Sequence, residues 1–370
     1  MSTLEAVTVP KWGMTMTEGT IVGWLVGEGD MIAKGDEIVE IETTKLTNVV
    51  ESAVSGRVLR IVLPEGTTAP VGALAAVIGG DAATEEEIEA FIASYAARAG
   101  SGGTAETGQS ARQIDVAGTS VNFAEAGVEG SPVVVLLHGF GGDLTTWMFN
   151  MGELAAEYRT VAIDLPGHGA SSVIRGGDVL EGTVAAVLGV IAEAGAERVH
   201  LVGHSYGGGV AAAVATRLGE KLASVSLIAP IGLSESMSGD FLTDFIAADR
   251  RRPLQKVLER LVADPEKITS DMVEGTLNFK RLEEVPEALG RIASVIADGD
   301  RQLFDISEDL ARLSCPVLLI WGSQDQIVPL PAVVPGKALL KTIEAAGHMP
   351  QMEAAGAVNR ELLAVMRSAG

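Results

Sequence analysis

Gly203-His204-Ser205-Tyr206-Gly207 lies between an apolar run, residues 199–202, and a helical pattern that opens near Gly208. No other feature constrains the fold as tightly. A strand that turns straight into a helix leaves no room for side chains at Gly203 and Gly207. It also holds Ser205 in a strained backbone with its hydroxyl exposed. The Tyr206 N–H then lies at a helix N-terminus, where donors are free and the dipole favours negative charge. Residues 133–137, 161–163 and 317–321 are continuously apolar, and 225–228 are apolar but for Ser226, as strands buried on both faces are. Helical patterns at 184–191, 210–218 and 358–366 alternate with them. This alternation predicts a mostly parallel sheet with helices on both faces, entered by an antiparallel pair near 114–116 and 121–124. Residues 232–305 turn helical and polar, with Leu254, Val257, Leu258 and Leu261 on one face. That insertion is expected to be a lid.

A serine hydroxyl needs a base, and the base needs an orienter. Asp325 follows the last apolar run through Gly322-Ser323-Gln324, and His348 sits on a loop led by Gly347. Of five histidines, only His348 lies C-terminal to Ser205. Taken singly, Asp325 is a loop acid and His348 a loop histidine; in this order after Ser205 they make a catalytic triad. His138-Gly139-Phe140-Gly141-Gly142 follows the 133–137 run, where the Phe140 N–H can serve as second oxyanion donor. His138, Asp164 and His168 read as structural, and His200 and His204 as packing residues. Residues 114–370 thus resemble the α/β-hydrolase family, whose chain order is serine, acid, histidine. The resemblance implies catalysis by Ser205, Asp325 and His348, with Phe140 and Tyr206 as oxyanion donors. The fold alone leaves the substrate open, but a serine nucleophile implies attack on a carbonyl.

The chain ahead of residue 81 is organised differently. Gly19, Glu28, Gly29, Gly35 and Ile41 recur 37 positions later as Gly56, Glu65, Gly66, Gly72 and Ile78. One copy is too short to bury a core; two copies stacked face to face can form a small all-β sandwich. At their junction two alternating stretches flank a turn with Lys45 at its tip. Alone, such a lysine is a solvated side chain. With the repeat, residues 4–80 resemble the lipoyl domain of 2-oxo-acid dehydrogenase complexes, which implies that Lys45 carries covalent lipoate. Thr44 and Leu46 flank it, whereas the related biotin carriers place methionines there.

The expected architecture is therefore multidomain: an all-β lipoyl sandwich at 1–80, a helix and linker at 81–113, and an α/β-hydrolase at 114–370. Thr84 with Glu85, Glu86 and Glu87 forms a capping box, and Ile88, Phe91, Ile92 and Tyr95 share a face. Residues 99–112, rich in Gly, Ser and Thr, read as a flexible linker. The fusion resembles the E2 components of acetoin dehydrogenase complexes. It implies a dihydrolipoyllysine-residue acetyltransferase with coenzyme A as co-substrate. It also implies a thiamine-diphosphate E1, a flavin-dependent E3 dihydrolipoamide dehydrogenase and a lipoyl ligase as partners. No His-x-x-x-Asp-Gly motif of the usual E2 acyltransferase domain occurs. Two alternatives stay open: a thioesterase that passes the acyl group to water, and a lipoyl carrier on a non-catalytic scaffold. The net charge of −22 disfavours nucleic acid and anionic lipid as partners. One cysteine, Cys315, and no apolar stretch of membrane length point to a cytoplasmic protein.

Overall fold

The computed structural model describes residues 4–9, 18–33, 35–42, 47–52, 54–70, 72–80, 83–100 and 110–369. Contacts divide the chain into two compact units, Met1–Gly108 and Gln109–Gly370.

In the first unit the described strands are β1 (Glu5–Thr8), β2 (Glu18–Trp24), β3 (Met31–Ile32), β4 (Glu37–Glu42), β5 (Thr47–Glu51), β6 (Gly56–Ile61), β7 (Thr68–Pro70) and β8 (Leu74–Gly79). They form two antiparallel sheets, ordered β1-β8-β6-β3 and β5-β4-β2-β7. The two repeats are not one sheet each, as simple face-to-face stacking would have them. They interleave, so each sheet takes two strands from either copy. Interleaving pairs the edges that a single copy would leave open. It encloses Ile21, Ile38, Ile41, Val58 and Ile78. The repeat extends to side-chain chemistry. The Trp24 N–H donates to Glu65 Oε1 and the Ile61 N–H to Glu28 Oε1, repeat-related bonds made in both directions. Gly29 and Gly66 turn at φ 93° and 78°, a region that favours glycine.

Helix α1 (Glu85–Gly100) belongs to this unit. Its capping box is present: the Glu87 N–H donates to Thr84 Oγ1 and the Thr84 N–H to Glu87 Oε2. Ile88 is buried, and Arg60 of β6 pairs with Glu85 and Glu89. The helix is thus held on the sandwich by one apolar anchor and an ion-pair cluster. Of the expected linker, residues 101–109 lie outside the described residues. Residues 110–112 are not linker but the start of a strand. Arg112 pairs there with Glu125 and Glu193 and covers the Phe123 ring, contacts that pull the chain onto the sheet.

In the second unit the described strands are β9 (Ser110–Val116), β10 (Thr119–Ala126), β11 (Val133–Leu137), β12 (Arg159–Ile163), β13 (Val199–His204), β14 (Leu222–Ile228), a small hairpin of β15 (Ala297–Asp298) and β16 (Arg301–Gln302), then β17 (Val317–Gly322) and β18 (Leu339–Ile343). One eight-stranded sheet runs β18-β17-β14-β13-β11-β12-β10-β9, parallel from β18 to β12 and antiparallel beyond. Alternation sends Val133, Val135 and Leu137 of β11 to one face and Val134 and Leu136 to the other. The described helices are α2 (Met151–Leu154), α3 (Val179–Glu193), α4 (Tyr206–Leu218), α5 (Gly239–Ala247), α6 (Arg251–Glu259), α7 (Ser270–Lys280), α8 (Val285–Ile296), α9 (Ser307–Arg312), α10 (Pro350–Glu353) and α11 (Ala355–Ser368). Helices α3 and α4 pack on the first face and α2 and α11 on the second. Between β14 and β17, α5 to α8 form the insertion expected at 232–305. Strand β18 escapes the apolar-run criterion because this edge strand is half exposed and carries Lys341 and Thr342.

Candidate active site

Ser205 lies between β13, in the middle of the sheet, and α4, of which it is the N-cap. Its backbone is at φ 52°, ψ −117°, a strained conformation for a side-chain-bearing residue. Bonds on both sides hold it there. The Ser205 N–H donates to the Ile228 carbonyl, and the Ser205 carbonyl accepts from Gly208, Gly209 and Ile231. The flanking glycines are sterically required. A Cβ on Gly203 would lie 2.3 Å from the Gly207 carbonyl oxygen, and one on Gly207 would lie 2.3 Å from that of His138. Ser205 Oγ makes no hydrogen bond among the described residues. It is not among the sealed, unpartnered polar atoms either, so it meets solvent.

Asp325 and His348 are brought together. His348 Nδ1 lies 2.8 Å from Asp325 Oδ2, with both side chains almost wholly buried. Asp325 Oδ1 accepts the N–H groups of Ile327 and Val328. Burial alone would raise this carboxyl. The His348 contact and the two N–H donors outweigh that, and its pKa falls below the ordinary value. The supporting loops are in close contact: a Cβ on Gly322 would lie 1.9 Å from the Gly347 carbonyl oxygen.

The loop after β11 reaches the serine, since a Cβ on Gly139 would lie 3.1 Å from Ser205 Cβ. Phe140 comes next. His168 Nε2 accepts the Gly141 N–H, and His138 Nε2 accepts the Leu165 N–H. Asp164 accepts from Asn122, Leu144 and Ala170. These three residues brace the loop. Tyr206 is the first residue of α4, so its N–H has no acceptor one turn back. Burial pushes its phenol up to about 12. Phe245 of α5 packs its ring 5.5 Å from that of Phe140, bringing the insertion against this loop.

Two residues matter more than the sequence suggested. His204 is not a fully satisfied packing residue. Its Nε2 bonds the His348 carbonyl at 2.8 Å, while its buried Nδ1 has no partner. Glu353 accepts the N–H groups of both Gly347 and Ala263, tying the His348 loop to the insertion. Neither contact has a local sequence signal. Cys315 is half-buried, and burial raises its thiol, so it is a poor nucleophile. Lys45 lies outside the described residues. It falls between β4 and β5, which pair antiparallel with Glu42 opposite Thr47. Among the described residues, no helix is long and apolar enough to cross a membrane.

Comparison with known proteins agrees with this picture. The model of the alpha/beta hydrolase family matches residues 134–361, and that of the family described as Biotin-requiring enzyme matches 5–78. The chain is 43% identical over 371 aligned positions, 99% of this chain and 100% of the relative, to the dihydrolipoyllysine-residue acetyltransferase component of the acetoin cleaving system of Pseudomonas putida. It is 38% identical, over 96% of both chains, to the component of the same name from Cupriavidus necator. Its fold is similar to the solved 2-hydroxy-6-oxo-6-phenylhexa-2,4-dienoate hydrolase of Rhodococcus sp. strain RHA1. That match has 26% identity and a TM-score of 0.64, and covers 70% of this chain and 99% of that one. With such identity along its whole length, the chain belongs to the family of dihydrolipoyllysine-residue acetyltransferase components of acetoin cleaving systems, its second unit being a member of the alpha/beta hydrolase family.

Proposed function

We propose that the chain receives an acetyl group on lipoate attached to Lys45 and passes it to coenzyme A through Ser205, with His348 as base and Asp325 as orienter. The observation that carries this reading is the 2.8 Å Asp325–His348 bond beside a serine held at φ 52°. When bound, the lipoyl group supplies a thiol that carries an acyl group as a thioester. The reading takes Lys45 as its attachment point because in the sequence it falls between the paired strands β4 and β5. In the family's setting a thiamine-diphosphate E1 would load the carrier. A flavin-dependent E3 would reoxidise it, and a lipoyl ligase would attach the group. The lone half-buried Cys315 suits a cytoplasmic setting.

The steps follow from the residues. Ser205 Oγ attacks the thioester carbonyl carbon as His348 Nε2 takes its proton. A C–O bond forms, and the N–H groups of Phe140 and Tyr206 stabilise the oxyanion. The C–S bond then breaks, and the proton on His348 passes to the leaving thiolate. An incoming thiol gives its proton to His348, its sulfur attacks the Ser205 ester, and the proton returns to Ser205 Oγ. Asp325 keeps Nδ1–H toward itself, which leaves Nε2 free as the base.

The likeness to 2-hydroxy-6-oxo-6-phenylhexa-2,4-dienoate hydrolases supports a second reading, in which water replaces the thiol. Full-length protein acetylated on its lipoyl group decides between them. With coenzyme A present, acetyl-coenzyme A should form, and Ser205→Ala should abolish it. Free acetate as the sole product would establish the hydrolytic reading. Wild-type transfer by Ser205→Ala would remove the serine from the mechanism.

A further inference from the structure

The insertion contains a charge arrangement at odds with the rest of the chain. The protein has a net charge of −22, yet Arg250, Arg251 and Arg252 are consecutive, and Lys256 follows one turn later. Arg250 is the N-cap of α6, and Arg251 and Arg252 are its first two residues. No acidic residue occupies the first turn of α6. Cations at this end of a helix oppose its dipole and repel one another, so the local choice is unfavourable by itself. Sequence choices that break a local rule mark functional positions.

The compensation is partial. Arg251 donates to Ser270 Oγ and lies 3.7 Å from Glu274 of α7. Arg250 lies 3.9 Å from Asp249, with both side chains more than 80% exposed, a pair of little energetic value. Arg252 and Lys256 are exposed and have no ion pair or hydrogen bond among the described residues. Spaced i and i+4, they share one face of α6. The four cations thus have two carboxylates, Asp249 and Glu274, within 4 Å among the described residues. What remains is a net positive patch beside free helix N–H groups, which suits a multiply charged anion.

Its place relative to the site restricts which anion. Phe245, five residues before Arg250, packs on the loop that carries Phe140. At the other end of α6, Ala263 donates to Glu353, which also holds Gly347 beside His348. From Arg251 to the helix's last residue, Glu259, is about 12 Å, and Ala263 follows four residues later. The patch is therefore on the same insertion as the contacts to the site, five residues along the chain from Phe245 and one helix length from the Ala263–Glu353 contact. A substrate that reacts at one end and bears phosphates at the other, joined by a long arm, matches this spacing.

We propose that Arg250, Arg252 and Lys256 bind the phosphates of coenzyme A and so make this helix end the acceptor's nucleotide subsite. The inference rests on coenzyme A as acceptor, and it deepens that reading. The test uses the full-length protein with Arg250, Arg252 and Lys256 all changed to Gln. All three side chains are exposed, so circular dichroism should be unchanged. Calorimetric titration with adenosine 3′,5′-bisphosphate needs no turnover. The wild type should bind it in a salt-sensitive way, and the triple variant should bind roughly tenfold to a hundredfold more weakly, the scale of losing one or two charge-assisted hydrogen bonds. Arg252→Lys should weaken binding less than Arg252→Gln. In turnover, KM for coenzyme A should rise by a similar factor, with kcat and the KM for pantetheine, which lacks the phosphates, unchanged. Equal binding of the bisphosphate by wild type and triple variant would overturn the subsite. So would an equal rise in the KM for pantetheine. Free acetate as the only wild-type product, with bisphosphate binding still lost in the variant, would overturn the acceptor reading and leave the phosphate site standing.

Discussion

His204 Nε2 bonds the backbone carbonyl of His348 at 2.8 Å, so the residue before Ser205 grips the loop that bears the proposed base. The two rings lie 4.8 Å apart between centroids. Burial first, and the neighbouring His348 second, lower the His204 pKa to about 3. It stays neutral in the working range and, with Nδ1 unpartnered, donates through Nε2. His204→Phe keeps a ring but leaves a buried carbonyl unpaired, a cost of about 1–3 kcal/mol. The expected result is a kcat lowered about tenfold at nearly constant KM. A variant with wild-type kcat would show that the His348 loop holds its place without this bond.

Asp325 accepts two backbone N–H groups as well as His348, so its carboxylate keeps its position when the imidazole is removed. Asp325→Asn should therefore preserve the loop while stabilising the wrong imidazole tautomer. A fall in kcat on the order of 10⁴ is expected. The carboxyl's pKa is lowered in the folded chain, so its stabilisation is complete above the unfolded value of about 3.9 and is lost as pH falls through the lower folded value. Denaturant midpoints below about pH 4 should depend less on pH in Asp325→Asn than in the wild type. Parallel acid profiles would contradict the lowered pKa.

Gly322 ends β17 three residues before Asp325, and an added Cβ there would meet the Gly347 carbonyl oxygen at 1.9 Å. Backbone has to move to admit it. Gly322→Ala should cost about 1–3 kcal/mol of stability, typical of overpacking. It should also lower kcat, because the shift acts on the two loops that hold Asp325 and His348. Full activity in a stable Gly322→Ala protein would mean that the loops absorb the strain away from the site.

What could be read in the sequence was what local sterics dictate. Gly203 and Gly207 are legible because a strand-to-helix turn admits no side chain there. Buried strands such as β11 are legible because both faces need apolar residues. The capping box at Thr84 is legible because its partners are three residues apart. The bond from His204 to His348 spans 144 residues, and that from Glu353 to Ala263 spans 90; no local pattern announces either. The 37-residue repeat announces two similar halves but not which edges pair, so the interleaving of β1 to β8 needed coordinates. The start of β9 was hidden because Ser110, Ala111 and Arg112 have linker composition and become strand by pairing with β10, where Arg112 also meets Glu125 and Glu193.

With His138, whose pKa burial also lowers, the three histidines His168, His200 and His204 set the acid limit of the second unit. Burial, the main cause for each, lowers their pKa values to about 3, 4 and 3. In the unfolded chain each has a pKa near 6.5. A folded value below the unfolded one means that stability is complete above about pH 6.5 and falls as pH drops toward the folded values. Each histidine adds a slope of up to about 1.4 kcal/mol per pH unit in that window. Protonation also breaks specific bonds. His168 Nε2 accepts the Gly141 N–H, so a proton there would release the loop bearing Phe140. Denaturant midpoints of the second unit should therefore fall steadily from pH 6.5 to pH 4, with net proton uptake on unfolding. His200→Gln removes one titrating group far from Ser205 in the sheet, at the β13–β14 pairing with Ser224. It should lower stability at pH 7 but flatten the slope. A midpoint independent of pH from 6.5 to 4, or a slope unchanged in His200→Gln, would refute the assignment of the acid limit to these buried rings.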